Sequence, residues 1–111
     1  MINKLKKIFN IRLNRSIERK DIMQSEIKSL MSKGAILIDV RSPQEYNEGH
    51  LDNSILLPEY EILKKIEDII PNKNTKIILY CSSGTRSKKA QEELEKMGYK
   101  NIYNVLNGVE F

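Results

Sequence analysis

The chain has one cysteine, one histidine, no tryptophan and no apolar run near the length that spans a membrane. A lone cysteine, Cys81, excludes an internal disulfide and any zinc or iron–sulfur cage built from several thiolates. Such a thiol must stay reduced to act, which points to a cytoplasmic setting. A spanning helix needs roughly 18 or more consecutive apolar residues, and none are present. At 111 residues the chain has room for one small domain with a modest core, and not for two domains or a repeat array.

An excess of one charge is also missing where it would matter. The formal net charge is +4, but Lys4, Lys6, Lys7, Arg12 and Arg15 all precede the first acidic residue, and residues 18–111 carry a net charge of −1. The basic character therefore belongs to the N-terminal segment, and nucleic-acid binding by a basic domain face loses its support. Residues 1–19 read as an extension, with residues 20–111 as the folded domain. Ile2, Leu5, Ile8, Phe9 and Leu13 recur at roughly helical spacing among the lysines and arginines. That pattern suits a segment packed on its own domain or a frayed terminus, and also a basic amphipathic helix making weak contact with a membrane surface or a partner. No continuous apolar stretch and cleavage site of the secretory kind follows the lysines.

From Gln24 onward two periodicities alternate. Gln24–Lys33 places Ile27, Leu30 and Met31 on one helical face and stops at Gly34. Ala35–Val40, Ile55–Leu57, Lys76–Tyr80 and Ile102–Val105 are short apolar runs of the kind buried in a parallel sheet. Between them, Ser42-Pro43-Gln44-Glu45 combines a capping box with proline at the first helical position, and that helix should end at Gly49. Glu59–Ile70 carries an apolar stripe of Ile62, Leu63, Ile66, Ile69 and Ile70, stopped by Pro71. Ser87–Met97 forms the last helix, capped by Gly98. Strands alternating with helices predict an α/β domain with a mostly parallel sheet and helices on both faces.

In such sheets ligands bind at the carboxyl ends of the strands, where Cys81 follows Lys76–Tyr80. Its loop continues Ser82-Ser83-Gly84-Thr85-Arg86. Small residues and a glycine allow a tight curl with inward N–H groups, the next helix contributes its positive N-terminal end, and Arg86 adds a cation. All three favour the thiolate and would hold an anionic sulfur or oxyanion above it. A free cysteine is ordinarily a small buried hydrophobe, but this loop marks Cys81 as a nucleophile.

With these residues in view, the chain resembles a single rhodanese domain from about Ile22 to Val109. Asp39-Val40-Arg41 with Glu45-Tyr46 resembles the first signature of that family. Gly49-His50-Leu51, Asn53-Ser54 and Pro58 resemble the second, and Cys81, Gly84, Arg86 and Ser87 match its active loop, Cys-x-x-Gly-x-Arg-Ser. The resemblance implies a rhodanese-like three-layer sandwich and a sulfurtransferase. In that cycle Cys81 takes sulfane sulfur from thiosulfate or a persulfide and hands it, as a persulfide, to an external thiol or cyanide, with no metal or organic cofactor. Ser82, Ser83 and Thr85 would contribute mainly backbone N–H groups, and Asp39 with Arg41 would support the loop as a structural pair. His50, the only histidine, would organise the turn after the short helix, while Tyr46 and Tyr60 would serve packing.

Two other functions fit less well or only in part. Phosphatases of the same fold place five residues between cysteine and arginine; here there are four, and Tyr80 precedes the cysteine where those enzymes carry histidine. A sulfur carrier or a module docking a protein sulfur donor or acceptor would keep the same loop. Family members commonly close with a tryptophan-bearing C-terminal helix, whereas Asn107-Gly108-Val109-Glu110-Phe111 begins the preceding turn and goes no further. Either the basic extension covers the surface that helix would occupy, or a second copy does, or the chain is shortened and less stable.

Overall fold

The computed structural model describes residues 20–111. The expectations for residues 1–19, including membrane contact and the covering of an exposed face, lie outside the described residues. The elements run β1 (Asp21–Ile22), a short 3-10 helix (Gln24–Glu26), α1 (Ile27–Ser32), β2 (Ile36–Asp39), α2 (Pro43–Glu48), β3 (Ile55–Leu56), α3 (Ile62–Ile69), β4 (Ile77–Tyr80), α4 (Thr85–Lys96) and β5 (Ile102–Val105). Among the described residues the strands form one sheet in the order β1-β5-β4-β2-β3, and every pairing is parallel. The expected α/β class with helices on both faces is what the chain adopts.

The central strand explains the layering. All four residues of β4 are buried, because a strand covered on both sides must be apolar on both sides. Its side chains alternate: Ile77, Leu79 and Cys81 join the layer formed by Ile62 and Ile66 of α3 and Ala90 and Leu94 of α4. Ile78 and Tyr80 face the opposite layer with Leu37, Val105 and Ile27 of α1. Cys81 therefore continues the core side of β4 as the chain leaves the sheet.

Local chemistry sets the element ends near that point. Ser42 Oγ accepts the Glu45 N–H at 3.2 Å and Glu45 Oε1 accepts the Ser42 N–H at 3.0 Å, the reciprocal capping box that starts α2. The helix expected from Ser87 starts two residues earlier, at Thr85, directly after Gly84 takes a left-handed φ of 92°. The helix expected from Glu59 starts at Ile62, because the Pro58 carbonyl accepts the N–H groups of both Glu61 and Ile62 in a preceding turn. Its buried stripe is narrower than the sequence predicts: Ile62, Ile66 and Ile70 are buried, whereas Leu63 and Ile69 are exposed. Tyr60 is also exposed, so its expected packing role is not realised. The first helix is divided, with a 3-10 turn preceding α1, and the two-residue β1 is too short for any periodicity to reveal.

The last residues form a turn and an irregular segment that closes beneath the cysteine loop. Gly108 has a φ of 72°, and a Cβ there would lie 2.4 Å from the Ser82 carbonyl carbon and oxygen. Glycine alone allows that approach. The neighbouring Val109 N–H donates to the Cys81 carbonyl at 2.9 Å.

Leu79 is fully buried in the middle of the sheet. Leu79→Ala is expected to lower stability by about 2–5 kcal/mol through lost burial and the cavity left behind. Urea denaturation followed by far-UV circular dichroism should show an earlier midpoint with an unchanged slope.

Candidate active site

Parallel strands bring their carboxyl ends to one edge, and that edge carries both the end of β2 with Arg41 and the end of β4 with Cys81. Cys81 is fully buried. Its Sγ accepts the Gly84 N–H at 3.0 Å and the Ser87 N–H at 3.5 Å, and Ser87 Oγ lies 3.4 Å away. The short span from Cys81 to the start of α4 is what turns these groups inward: the left-handed Gly84 reverses the chain, and the first turn of the helix presents its unpaired N–H groups to the sulfur. Burial pushes the thiol pKa up, but hydrogen bonds from the Ser87 side chain and from the N–H groups of Ser87, Ser83 and Gly84 outweigh it, so the thiol lies below its ordinary value. The arrangement favours a nucleophilic thiolate.

Beyond these N–H groups, the loop hydroxyls make contacts of their own. Thr85 directs its N–H to Ser83 Oγ at 3.5 Å, and Ser83 Oγ donates to Thr85 Oγ1 at 3.2 Å, so the two hydroxyl residues brace the loop. Ser82 Oγ accepts from Arg86 Nη2 at 3.1 Å. Arg86 interacts electrostatically with Cys81 but is held chiefly by a carboxylate. Its Nη1 and Nη2 donate to Glu45 Oε1 and Oε2 at 2.7 and 3.0 Å, a two-pronged pair across to α2. Hydrogen bonds from Arg86 first, and from the Ser42 N–H next, pull the Glu45 carboxyl down to about 2.

Asp39 and Arg41 form a second, buried pair. Arg41 Nη2 lies 2.6 Å from Asp39 Oδ2 and also donates to the Gly49 carbonyl at 2.6 Å, while its own N–H reaches Asp39 Oδ1 at 2.9 Å. Its guanidinium carbon sits 4.5 Å from the centre of the Phe111 ring. This pair ties the end of β2 to the end of α2, with the ring of Phe111 lying against the guanidinium. His50 stacks on Tyr46 with ring centres 3.7 Å apart, and its Nδ1 is 2.8 Å from the Tyr46 carbonyl oxygen, at the turn after α2. Tyr46 packs as expected and adds a hydrogen bond from its hydroxyl to the Ser54 carbonyl at 2.7 Å.

Three contributors were not singled out as site residues by the sequence. Ser87 belongs to the loop motif, but its contact with Sγ depends on a helix beginning at Thr85. Asn104 on β5 accepts a hydrogen bond from Ser87 Oγ through its side-chain carbonyl, and nothing in the strand pattern marks it beyond a polar residue in an apolar run. Gly108 holds the turn under Ser82, and its signal was only the Asn-Gly pair. Beside the loop, Arg41, Glu45, Glu48, Ser82, Glu110 and Phe111 border an open cleft of about 510 Å³. Among the described residues, no cluster of three or more histidine, cysteine or carboxylate side chains could hold a metal ion, and no helix is long and apolar enough to cross a membrane.

Comparison with known proteins bears on the geometry. The chain is similar to the thiosulfate sulfurtransferase PspE of Escherichia coli, at 37% identity over 60% of this chain and 64% of that protein. It is also similar, at 37% identity over 72% of this chain, to a tRNA uridine(34) hydroxylase of Buchnera aphidicola, of which it spans only 27%. The crystal structure of a rhodanese-like domain protein from Staphylococcus aureus superimposes with a TM-score of 0.66 at 33% identity, covering 80% of this chain and 86% of that one. The family model for the rhodanese-like domain matches residues 23–110, nearly the whole described region. By that match, and by a fold that carries a cysteine loop at the carboxyl end of its central strand, the chain belongs to the rhodanese-like domain family.

Proposed function

We propose that the protein is a sulfurtransferase in which Cys81 carries sulfane sulfur as a persulfide. The observation that carries this reading is the convergence of the Gly84 N–H, the Ser87 N–H and the Ser87 hydroxyl on one buried sulfur. Such a set of donors stabilises negative charge on a sulfur without a metal.

The transfer divides into two steps. The Cys81 thiolate attacks the outer sulfur of the donor, the donor's S–S bond breaks, and the leaving group departs with the electron pair. From thiosulfate the leaving group is sulfite. From a persulfide it is a thiolate, which takes up the proton of the outer sulfur. An external thiolate or cyanide then attacks the terminal sulfur of the Cys81 persulfide and restores the thiolate. The acceptor is external because the chain has no second cysteine. Ser82, Ser83, Thr85 and Arg86 shape the loop around this sulfur, while Asp39 and Arg41 hold the adjoining wall. The chemistry requires a reduced thiol, which fits a cytoplasmic protein.

Intact mass spectrometry after incubation with thiosulfate or an alkyl persulfide tests the reading directly. The expected result is a gain of one sulfur atom, reversed by cyanide or excess thiol and absent from Cys81→Ser. No gain from either donor would count against it.

A second measurement follows from the hydrogen bonds to the sulfur. The rate of iodoacetamide alkylation against pH is expected to reach half its plateau below the pH typical of a free cysteine. Ser87→Ala removes the leading favourable contribution, so its midpoint should move upward and its reaction at neutral pH should slow severalfold. An unmoved midpoint would show that the backbone N–H groups alone set the thiol.

A further inference from the structure

Both guanidinium groups beside the loop are paired with carboxylates. Arg41 is held by Asp39 and the Gly49 carbonyl, and Arg86 by both oxygens of Glu45. The cleft next to Ser82 is also bordered by Glu48 and Glu110, which are exposed and form no ion pair among the described residues. One cation, Arg41, thus faces three carboxylates, Glu45, Glu48 and Glu110, around this cleft beside Ser82. Lys88 and Lys89 border a separate depression with Ser83, Gly84 and Thr85, and Lys88 is itself paired with Asp21 at 3.3 Å.

A dianionic donor entering here meets uncompensated negative charge. Its two charges meet twice the penalty that a donor carrying at most one charge meets. We propose that Glu45 is a specificity-determining residue which, by holding Arg86 and adding its own charge to the cleft, turns the site away from dianionic thiosulfate and toward persulfide donors of low charge. This inference rests on the sulfurtransferase reading and names its donor class: R–S–SH, in which Cys81 takes the outer sulfur and R–SH leaves. Glu45 acts without touching the transferred sulfur, so its mark is on donor discrimination. Its bond lengths and its carboxyl, which stays ionised far below neutrality, make the pair a permanent feature of the working pH range.

The test is the ratio of kcat/KM for thiosulfate to kcat/KM for 2-hydroxyethyl persulfide, with cyanide as acceptor, in the full chain and in Glu45→Gln. Glutamine keeps an acceptor for the Ser42 N–H at the start of α2. The ratio is expected to rise about fivefold in Glu45→Gln, mainly through a lower KM for thiosulfate, and the increase should shrink as salt is added. Glu48→Gln, outside the capping box, is expected to raise the ratio by about twofold and guards against a folding defect in the first variant. A ratio that stays level or falls in both variants overturns the donor preference while leaving sulfur transfer intact. Failure of the wild-type chain to transfer sulfur from either donor overturns the sulfurtransferase reading and the preference with it.

Discussion

The site depends on a contact between two backbone segments with no side chain between them. Gly108 lies so close beneath Ser82 that a single Cβ would collide with its carbonyl, and the adjacent Val109 N–H holds the Cys81 carbonyl. The loop must therefore curl away from the turn and around its own sulfur. Gly84 meets the same turn from above, with a would-be Cβ 3.2 Å from the Asn107 nitrogen and 3.4 Å from the Gly108 nitrogen. The cysteine loop, braced by its own side chains, is thus also held in shape by the turn after β5, and the geometry of the donors around Sγ follows from it. Preorganisation of this kind is what makes N–H groups effective, since they need not reorient when charge develops on the sulfur.

Charge is distributed in two tiers. Close to the sulfur the field comes from dipoles: the N–H groups of Gly84 and Ser87 and the Ser87 hydroxyl, at the start of α4. Further out it comes from whole charges tied in pairs. The buried Asp39–Arg41 pair joins the end of β2 to the end of α2, and its desolvation is compensated by several hydrogen bonds on each partner and by the ring of Phe111. The Glu45–Arg86 pair is partly exposed, so its weight lies in orientation more than in stability. It also links α2 to α4, giving the capping glutamate of one helix a second duty at the mouth of the other.

Much of this was readable residue by residue. The strand at Ile102–Val105 and the capped helix at Pro43–Glu48 follow from an apolar run and from a capping box with proline, both local signals. Cys81 stood out because a polar glycine-bearing loop joined a fully apolar strand to a helix. The misreadings have local causes too. The stretch from Glu59 reads as helix because its apolar spacing is helical, yet Pro58 first draws two N–H groups into a turn. Leu63 and Ile69 complete a stripe on paper but are exposed on α3.

Whatever rests on near neighbours along the chain is legible in it: the alternation of elements, the α/β class, the single cysteine and the loop that carries it. Whatever joins residues distant in number emerges only on folding. Arg86 meets Glu45 across 41 positions, Ser87 meets Asn104 across 17, and Gly108 lies beneath Ser82. A guanidinium next to a cysteine in sequence reads as a free cation. Only once the parallel strands place α2 beside the start of α4 does it become half of a pair, because electrostatic partners are chosen by distance in space and not by order in the chain.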